Sequence, residues 1–232
     1  PTLDALAAPE TFVVATGQQV GLFLGPCYTI YKALTAARLA RRLTELGLRC
    51  VPVFWLAAED HDYREVNHCW VFGGGGAPVR IAIQPETAVQ QPAGEVVLQS
   101  DPSADLQGAI SELPHAGEVL ALAREAYAPG RTLGGAFRRF LQRLLAPFGL
   151  LCLDPLDPAI RELAAPLLAR AARQAPRLIG KALERSRELE AAGYHAQVRV
   201  EAGRPLMFLL DQGRRLPLRN DASLQGVSAA AL

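Results

Sequence analysis

Two apolar, β-branched runs each end in a dense polar motif, and a helical stretch joins them. The first run, residues 11–16, leads into Gly17-Gln18-Gln19-Val20-Gly21 and then Gly25-Pro26-Cys27-Tyr28-Thr29-Ile30-Tyr31-Lys32. The second, residues 49–57, leads into Glu59-Asp60-His61-Asp62-Tyr63-Arg64-Glu65. Between them Ile30, Leu34, Ala37, Leu39, Leu43 and Leu46 recur at helical spacing. Pro26 suits a first helical turn and Gly47 a helix stop. Strand, glycine loop, helix, strand is a βαβ unit, which is right-handed with parallel strands. Both strands then end on one edge of the sheet. The two polar motifs should therefore face one crevice, where α/β folds place their sites.

The rest of the chain extends this pattern. Residues 70–100 read as short strands, with a turn at Gly73–Gly76. Residues 104–145 read as helices, with breaks at Pro114 and at Pro129-Gly130. The longest apolar run, residues 144–153, reads as a helix end followed by a third parallel strand that stops at Asp154. Residues 158–175 and 178–192 read as helices, and residues 195–219 as two or three short strands. The expected fold is an α/β parallel-sheet core with helical insertions, chiefly residues 101–146, and a short β-rich C-terminal portion.

Composition narrows the function. Half of the 232 residues are hydrophobic, enough for a real core. A formal net charge of +1 and 6% aromatic residues argue against a nucleic-acid binder. No apolar run approaches the roughly 18–20 residues that span a bilayer, so no membrane partner is expected. Cys27, Cys50, Cys69 and Cys152 show no C-x-x-C spacing, and no secretion signal is visible. A reduced, cytoplasmic chain is expected. The start at Pro1 and the end at residues 228–232 lead to the expectation of a partial chain. Only Lys32 and Lys181 are lysines among 24 basic residues, so a lysine inside a motif draws notice.

The motif residues suit specific chemistry. A glycine loop opening a helix offers N–H groups and a helix dipole to an anion, and Lys32, about one and a half turns in, can reach it. Equally, glycines can simply turn the chain around a solvated lysine; neither Walker A nor G-x-G-x-x-G is present. Gln18 and Gln19 offer donors and acceptors to a polyhydroxyl or amide ligand. Tyr28 and Thr29 lie on the first helical turn beside the same crevice, whereas Tyr31 is expected to pack. Glu59, Asp60, Asp62 and Glu65 surround His61. Carboxylates this close must be separated, paired or partly protonated, and can bind an amine, hold a cation or act as general base. The competing role is capping of a helix N-terminus. His61, His68 and Cys69 include zinc-type ligands, but their spacing matches no ligand pair on a helix face, so no metal is assigned. His115 and His195 stand alone.

Together the two motifs resemble the bacillithiol biosynthesis cysteine-adding enzyme family of cysteine ligases. The family pattern T-G-Q-Q-x-G-L-F-x-G-P-x-Y-T-x-x-K matches Thr16–Lys32. P-V-F-W-x-x-x-E-D-H-D-x-x-E-x-N-H matches Pro52–His68 and includes Trp55. A looser likeness continues at residues 149–154 and 205–209. The resemblance implies a Rossmann-like core spanning residues 1–232, incomplete because a further core segment and a C-terminal coiled coil are absent, and a homodimer. It implies a ligase that joins cysteine to the amine of glucosaminyl-malate in the last step of bacillithiol synthesis, with ATP as the implied activator. Glu59, Asp60, His61 and Asp62 would then be catalytic. Gly17, Gln18, Gln19, Gly25, Tyr28, Thr29, Lys32, Trp55 and Glu65 would bind substrate. Two alternatives stay open: a non-catalytic module for an anionic sugar, and another Rossmann-type transferase that shares the loop.

Overall fold

A computed structural model describes residues 2–84, 91–202, 207–211 and 213–218. The chain divides into two compact units, Pro1–Pro155 and Leu156–Leu232. In the first, helix α1 (Thr2–Ala7) precedes strand β1 (Phe12–Gln19), helix α2 (Tyr28–Glu45) and strand β2 (Cys50–Ala57). A short helix α3 (Tyr63–Val66) leads to the antiparallel pair β3 (His68–Phe72) and β4 (Pro78–Ala82). Helices α4 (Ser103–Ile110), α5 (Ala116–Ala126) and α6 (Leu133–Leu144) follow, then strand β5 (Leu151–Leu153). Strands β1, β2 and β5 form one parallel sheet in the order β1-β2-β5. The turn at residues 73–76, the breaks between the three helices and the third parallel strand all stand as the sequence predicts.

Three local readings change. Strand β1 does not stop at the glycine: it runs through Gly17, Gln18 and Gln19, which pair with Trp55, Leu56 and Ala57. The loop is therefore residues 20–27. The phase of α2 also differs. Its buried stripe is Thr29, Ala33, Ala36, Ala37 and Ala40, not the leucines, and Leu39 is 48% exposed. Small side chains let the helix approach the sheet closely. Tyr31, expected to pack, is instead 64% exposed.

Helix α6 starts where Thr132 accepts a hydrogen bond from Gly135 N at 3.1 Å, a side-chain cap that follows the Pro129-Gly130 break. Its buried Phe137 lies 6.1 Å, centroid to centroid, from Phe54 of β2. Below it sits the strap 92–94. Ala93 N donates to Asp60 O at 2.6 Å and Gly94 N to Ala58 O at 2.9 Å. A Cβ on Gly94 would stand 2.6 Å from the Ala58 Cβ, and one on Gly134 would stand 3.0 Å from Gly94 O. Only glycine allows this stack of α6, strap and strand end.

The second unit holds α7 (Pro158–Arg173), α8 (Ala175–Ala191) and the hairpin β6 (Phe208–Asp211) and β7 (Arg214–Pro217). Asp157 caps α7 by accepting from Ala159 N at 2.9 Å, with Pro158 in the first turn. Residues 205 and 206 of the looser motif lie outside the described residues.

Two outcomes follow. Gly94→Ala overpacks the stack and lowers stability by about 1–3 kcal/mol, read as a shift in the urea midpoint. Burial pushes the thiols of Cys69 and Cys152 up from 9 to about 11. The unfolded chain ionises them first, so stability is full below pH 9 and falls as the pH rises towards 11. Denaturant titrations from pH 8 to 10, below the range in which tyrosines of the unfolded chain ionise, should show the start of that decline, and it should flatten in Cys69→Ala/Cys152→Ala.

Candidate active site

The register of β1 against β2 sets Gln19 beside Ala57, two residues before Glu59. Side chains alternate along a strand, so Gln18 and Gln19 point to opposite faces at the same sheet end. Gln19 Nε2 donates to Asp60 Oδ2 at 2.8 Å and to Glu65 Oε2 at 3.1 Å. One neutral amide thus spends both N–H donors on two carboxylates, which satisfies them without adding charge. Asp60 Oδ1 also accepts from Asp62 N at 3.2 Å and lies 3.6 Å from His61 Nδ1. Glu59 is half-buried at the end of β2. Asp62 occupies the N-cap position of α3 and makes no side-chain capping bond.

On the other face Lys32 Nζ donates to Gly17 O at 3.2 Å and to Gln18 Oε1 at 2.9 Å. Gln18 Nε2 donates to the Tyr28 hydroxyl at 3.3 Å, and Lys32 Nζ lies 5.1 Å from the Tyr28 ring centroid. The Lys32 charge is held at the sheet end by a carbonyl, an amide oxygen and an aromatic face, with no carboxylate among these partners. Trp55 is 44% exposed and sits in register with Gly17. Thr29 shares the buried stripe of α2, and its hydroxyl is buried without a hydrogen bond among the described residues.

The loop between β1 and α2 has unusual backbone. Phe23, Leu24 and Gly25 have φ values of 48°, 71° and 65°. Two non-glycine residues in succession in the left-handed region are strained. Gly25, at ψ −134°, occupies a region open essentially to glycine alone. The amides here serve the loop itself: Leu24 N donates to Gly21 O, Gly25 N to Leu22 O, Thr29 N to Pro26 O and Ile30 N to Cys27 O.

Tyr127, just after α5, closes the loop from below. It is fully buried and its hydroxyl donates to Gly21 O at 3.3 Å. Its ring meets Phe23 edge-on, with centroids 4.8 Å apart, and Phe140 of α6 at 5.9 Å. Burial drives its pKa far above the ordinary phenol value, so the hydroxyl keeps its proton. Sequence reading did not single out Tyr127. Its signal was a lone tyrosine closing an apolar helix before Pro129-Gly130. Tyr63, inside the acidic motif, likewise turns inward and donates to Gln84 O at 3.0 Å; burial pushes its pKa up to about 12.

The structure thus brings Gln19 to Asp60 and Glu65, and Lys32 to Gly17, Gln18 and Tyr28. His61, His68 and Cys69 do not converge: the His68 ring nitrogen lies 3.1 Å from Asn67 Oδ1, and Cys69 is buried. Among the described residues no group of three or more His, Cys, Asp or Glu side chains is placed to hold a metal ion. His115 is an exposed residue before α5, and His195 lines a cavity within the second unit.

A family model described as "Bacillithiol biosynthesis BshC, N-terminal Rossmann-like domain" matches residues 1–228. The chain belongs to that family. A protein of Solibacter usitatus named "Putative cysteine ligase BshC" is 50% identical over 219 residues, 94% of this chain and 42% of the relative. Proteins of the same name from Koribacter versatilis and Chlorobaculum tepidum are 39% and 36% identical, over 90% and 93% of this chain. Each of these two is covered over 39% of its own length. The chain therefore spans about two fifths of these relatives. The parallel sheet β1-β2-β5 with its α2 crossover is the Rossmann-like core of the matched domain.

Gly25→Ala forces a Cβ into a glycine-only conformation. It should lower stability by about 1–3 kcal/mol, and near-ultraviolet circular dichroism should report the disturbed Phe23–Tyr127 contact.

Proposed function

We propose that this chain is the substrate-binding core of a cysteine ligase that joins the carboxyl group of cysteine to the amine of glucosaminyl-malate. The observation that carries the reading is the split polarity of one strand end. Adjacent residues Gln18 and Gln19 hold a cation, Lys32, on one side and the carboxylates Asp60 and Glu65 on the other. Glucosaminyl-malate carries an amine and two carboxylates. Its malate carboxylates fit the Lys32–Tyr28 side and its amine the Asp60–Glu65 side, with the sugar beside exposed Trp55. Hydrogen-bond donors and acceptors on the two glutamines serve the hydroxyls between.

In that placement Glu59, Asp60, His61 and Asp62 bind the amine and take its proton as the C–N bond forms and an oxygen leaves the cysteine carboxyl group. A free carboxylate needs activation, and ATP is the activator proposed for the complete protein. The loop and the first turn of α2 do not fit a nucleotide's phosphates, because Leu24, Gly25, Thr29 and Ile30 already direct their amides to carbonyls of the loop. No step is assigned to a nucleotide on this stretch. The same reading proposes residues 1–232 as one Rossmann-like core with residues 101–146 as its helical insertion. It also proposes a coiled coil and homodimer for the complete protein. A cytoplasmic setting is part of the same reading, and the four free thiols support it. Among the described residues no helix is long and apolar enough to cross a membrane.

Supplying the complete gene product with cysteine, glucosaminyl-malate and ATP should yield a thiol-bearing amide, seen by mass spectrometry after thiol labelling. Lys32→Ala should raise KM for glucosaminyl-malate at least about tenfold, the loss of one charge-assisted contact. Glu59→Gln should act mainly on kcat, by about 10²-fold or more if it serves as base. Absence of product with the wild type sinks the ligase reading. Binding of glucosaminyl-malate without turnover would favour the non-catalytic module, and binding of a nucleotide-sugar in its place the transferase.

A further inference from the structure

We infer that Tyr127 is a positioning residue for the substrate loop: its buried hydroxyl holds residues 21–25 in their strained shape and so sets where α2 begins. The ligand named below rests on the ligase reading; the positioning itself does not.

Three observations converge on this tyrosine. The hydroxyl donates to Gly21 O at the start of the loop, the same carbonyl that accepts from Leu24 N. Gly21 O is thus a shared acceptor that ties the turn of the loop to the residue just after α5. The loop is the place where two non-glycine residues and Gly25 adopt positive φ in succession. Strained backbone of this kind persists only where its surroundings over-determine it. The supporting wall is aromatic: Phe23 stacks edge-on against Tyr127, and Phe140 closes on both rings at 5.9 Å and 6.5 Å.

What the loop positions is functional. Gly25 is followed directly by Pro26 and Cys27, then by Tyr28 at the start of α2. Tyr28 and Lys32 reach back to Gln18 and Gly17 on β1. If the loop relaxes, the first turn of α2 shifts and the Lys32–Gln18–Tyr28 arrangement goes with it. Tyr127 meets the loop through Gly21 O and the Phe23 ring, and so acts on these side chains only through the loop. The phenylalanine variant keeps the ring and its aromatic contacts while removing the one oxygen that bonds Gly21.

The test is Tyr127→Phe in the complete gene product, followed by backbone hydrogen exchange and by calorimetry with glucosaminyl-malate. Loss of one buried hydrogen bond should speed exchange at the amides of Leu24 and Gly25 by about three- to tenfold. Exchange along residues 50–57 of β2 should be unchanged. The dissociation constant should weaken by a similar factor, with KM rising and kcat largely kept. Phe140→Leu is the control: it thins the wall, keeps the hydroxyl, and should lower the melting temperature without opening residues 24 and 25 ahead of the rest. Unchanged local exchange in Tyr127→Phe overturns the inference. So does a variant that fails to fold or opens all amides together, because the hydroxyl would then serve the whole core. If the wild type does not bind glucosaminyl-malate, the ligase reading fails while the exchange result still decides the role of Tyr127.

Discussion

Everything at the candidate site depends on the register of β1 against β2. The two strands pair in parallel over eight positions, ending with Gln19 beside Ala57. Because side chains alternate with a period of two, a slip of one residue would exchange the faces of Gln18 and Gln19. Lys32 would then meet the wrong amide, and Asp60 and Glu65 would lose their shared donor. The register is secured by burial of Phe54 and Leu56 on the face that meets α6, and by the short side chains of α2.

The helices α4 to α6 do more than cover the sheet. They support both polar motifs from below, by different means. The loop after β1 rests on Tyr127 and Phe140, which hold strained backbone with one hydroxyl and two rings. The acidic turn after β2 rests on the strap at residues 92–94, which α6 presses against Ala58 through Gly134 and Gly94. In the first case a large side chain fills space; in the second, the absence of side chains lets three backbones meet. Both devices leave the polar groups at the sheet end where solvent and ligand can reach them, while their backbones are anchored in the core. This arrangement suits a site that needs opposite charges held close without neutralising each other. Gln18 and Gln19 separate Lys32 from the carboxylates, and each glutamine satisfies its own side.

Much of this was legible in the chain itself. The βαβ unit follows from periodicity and turn residues, and topology alone places the two motifs on one edge. The breaks at Pro114 and Pro129-Gly130 mark the helices correctly, because proline and glycine act on their own backbone. The phase of α2 was not legible. Its leucines and its alanines both recur at helical spacing, and the choice fell to the alanines because a close helix–sheet approach excludes the larger residues; Leu39 is left in solvent. The extension of β1 through Gly17-Gln18-Gln19 was also hidden. Glycine and glutamine carry no strand preference of their own, and the ladder to residues 55–57 holds them extended.

The amino-acid sequence by itself determined the order of strands and helices, the edge at which the motifs meet, and the family. Those depend on spacing within a few residues and on the handedness of the crossover. Tertiary structure alone decided the partners: Gln19 with Asp60 across 41 residues, and Gly21 with Tyr127 across 106. Such pairings are set by which surfaces pack together, and no local preference of either residue encodes them.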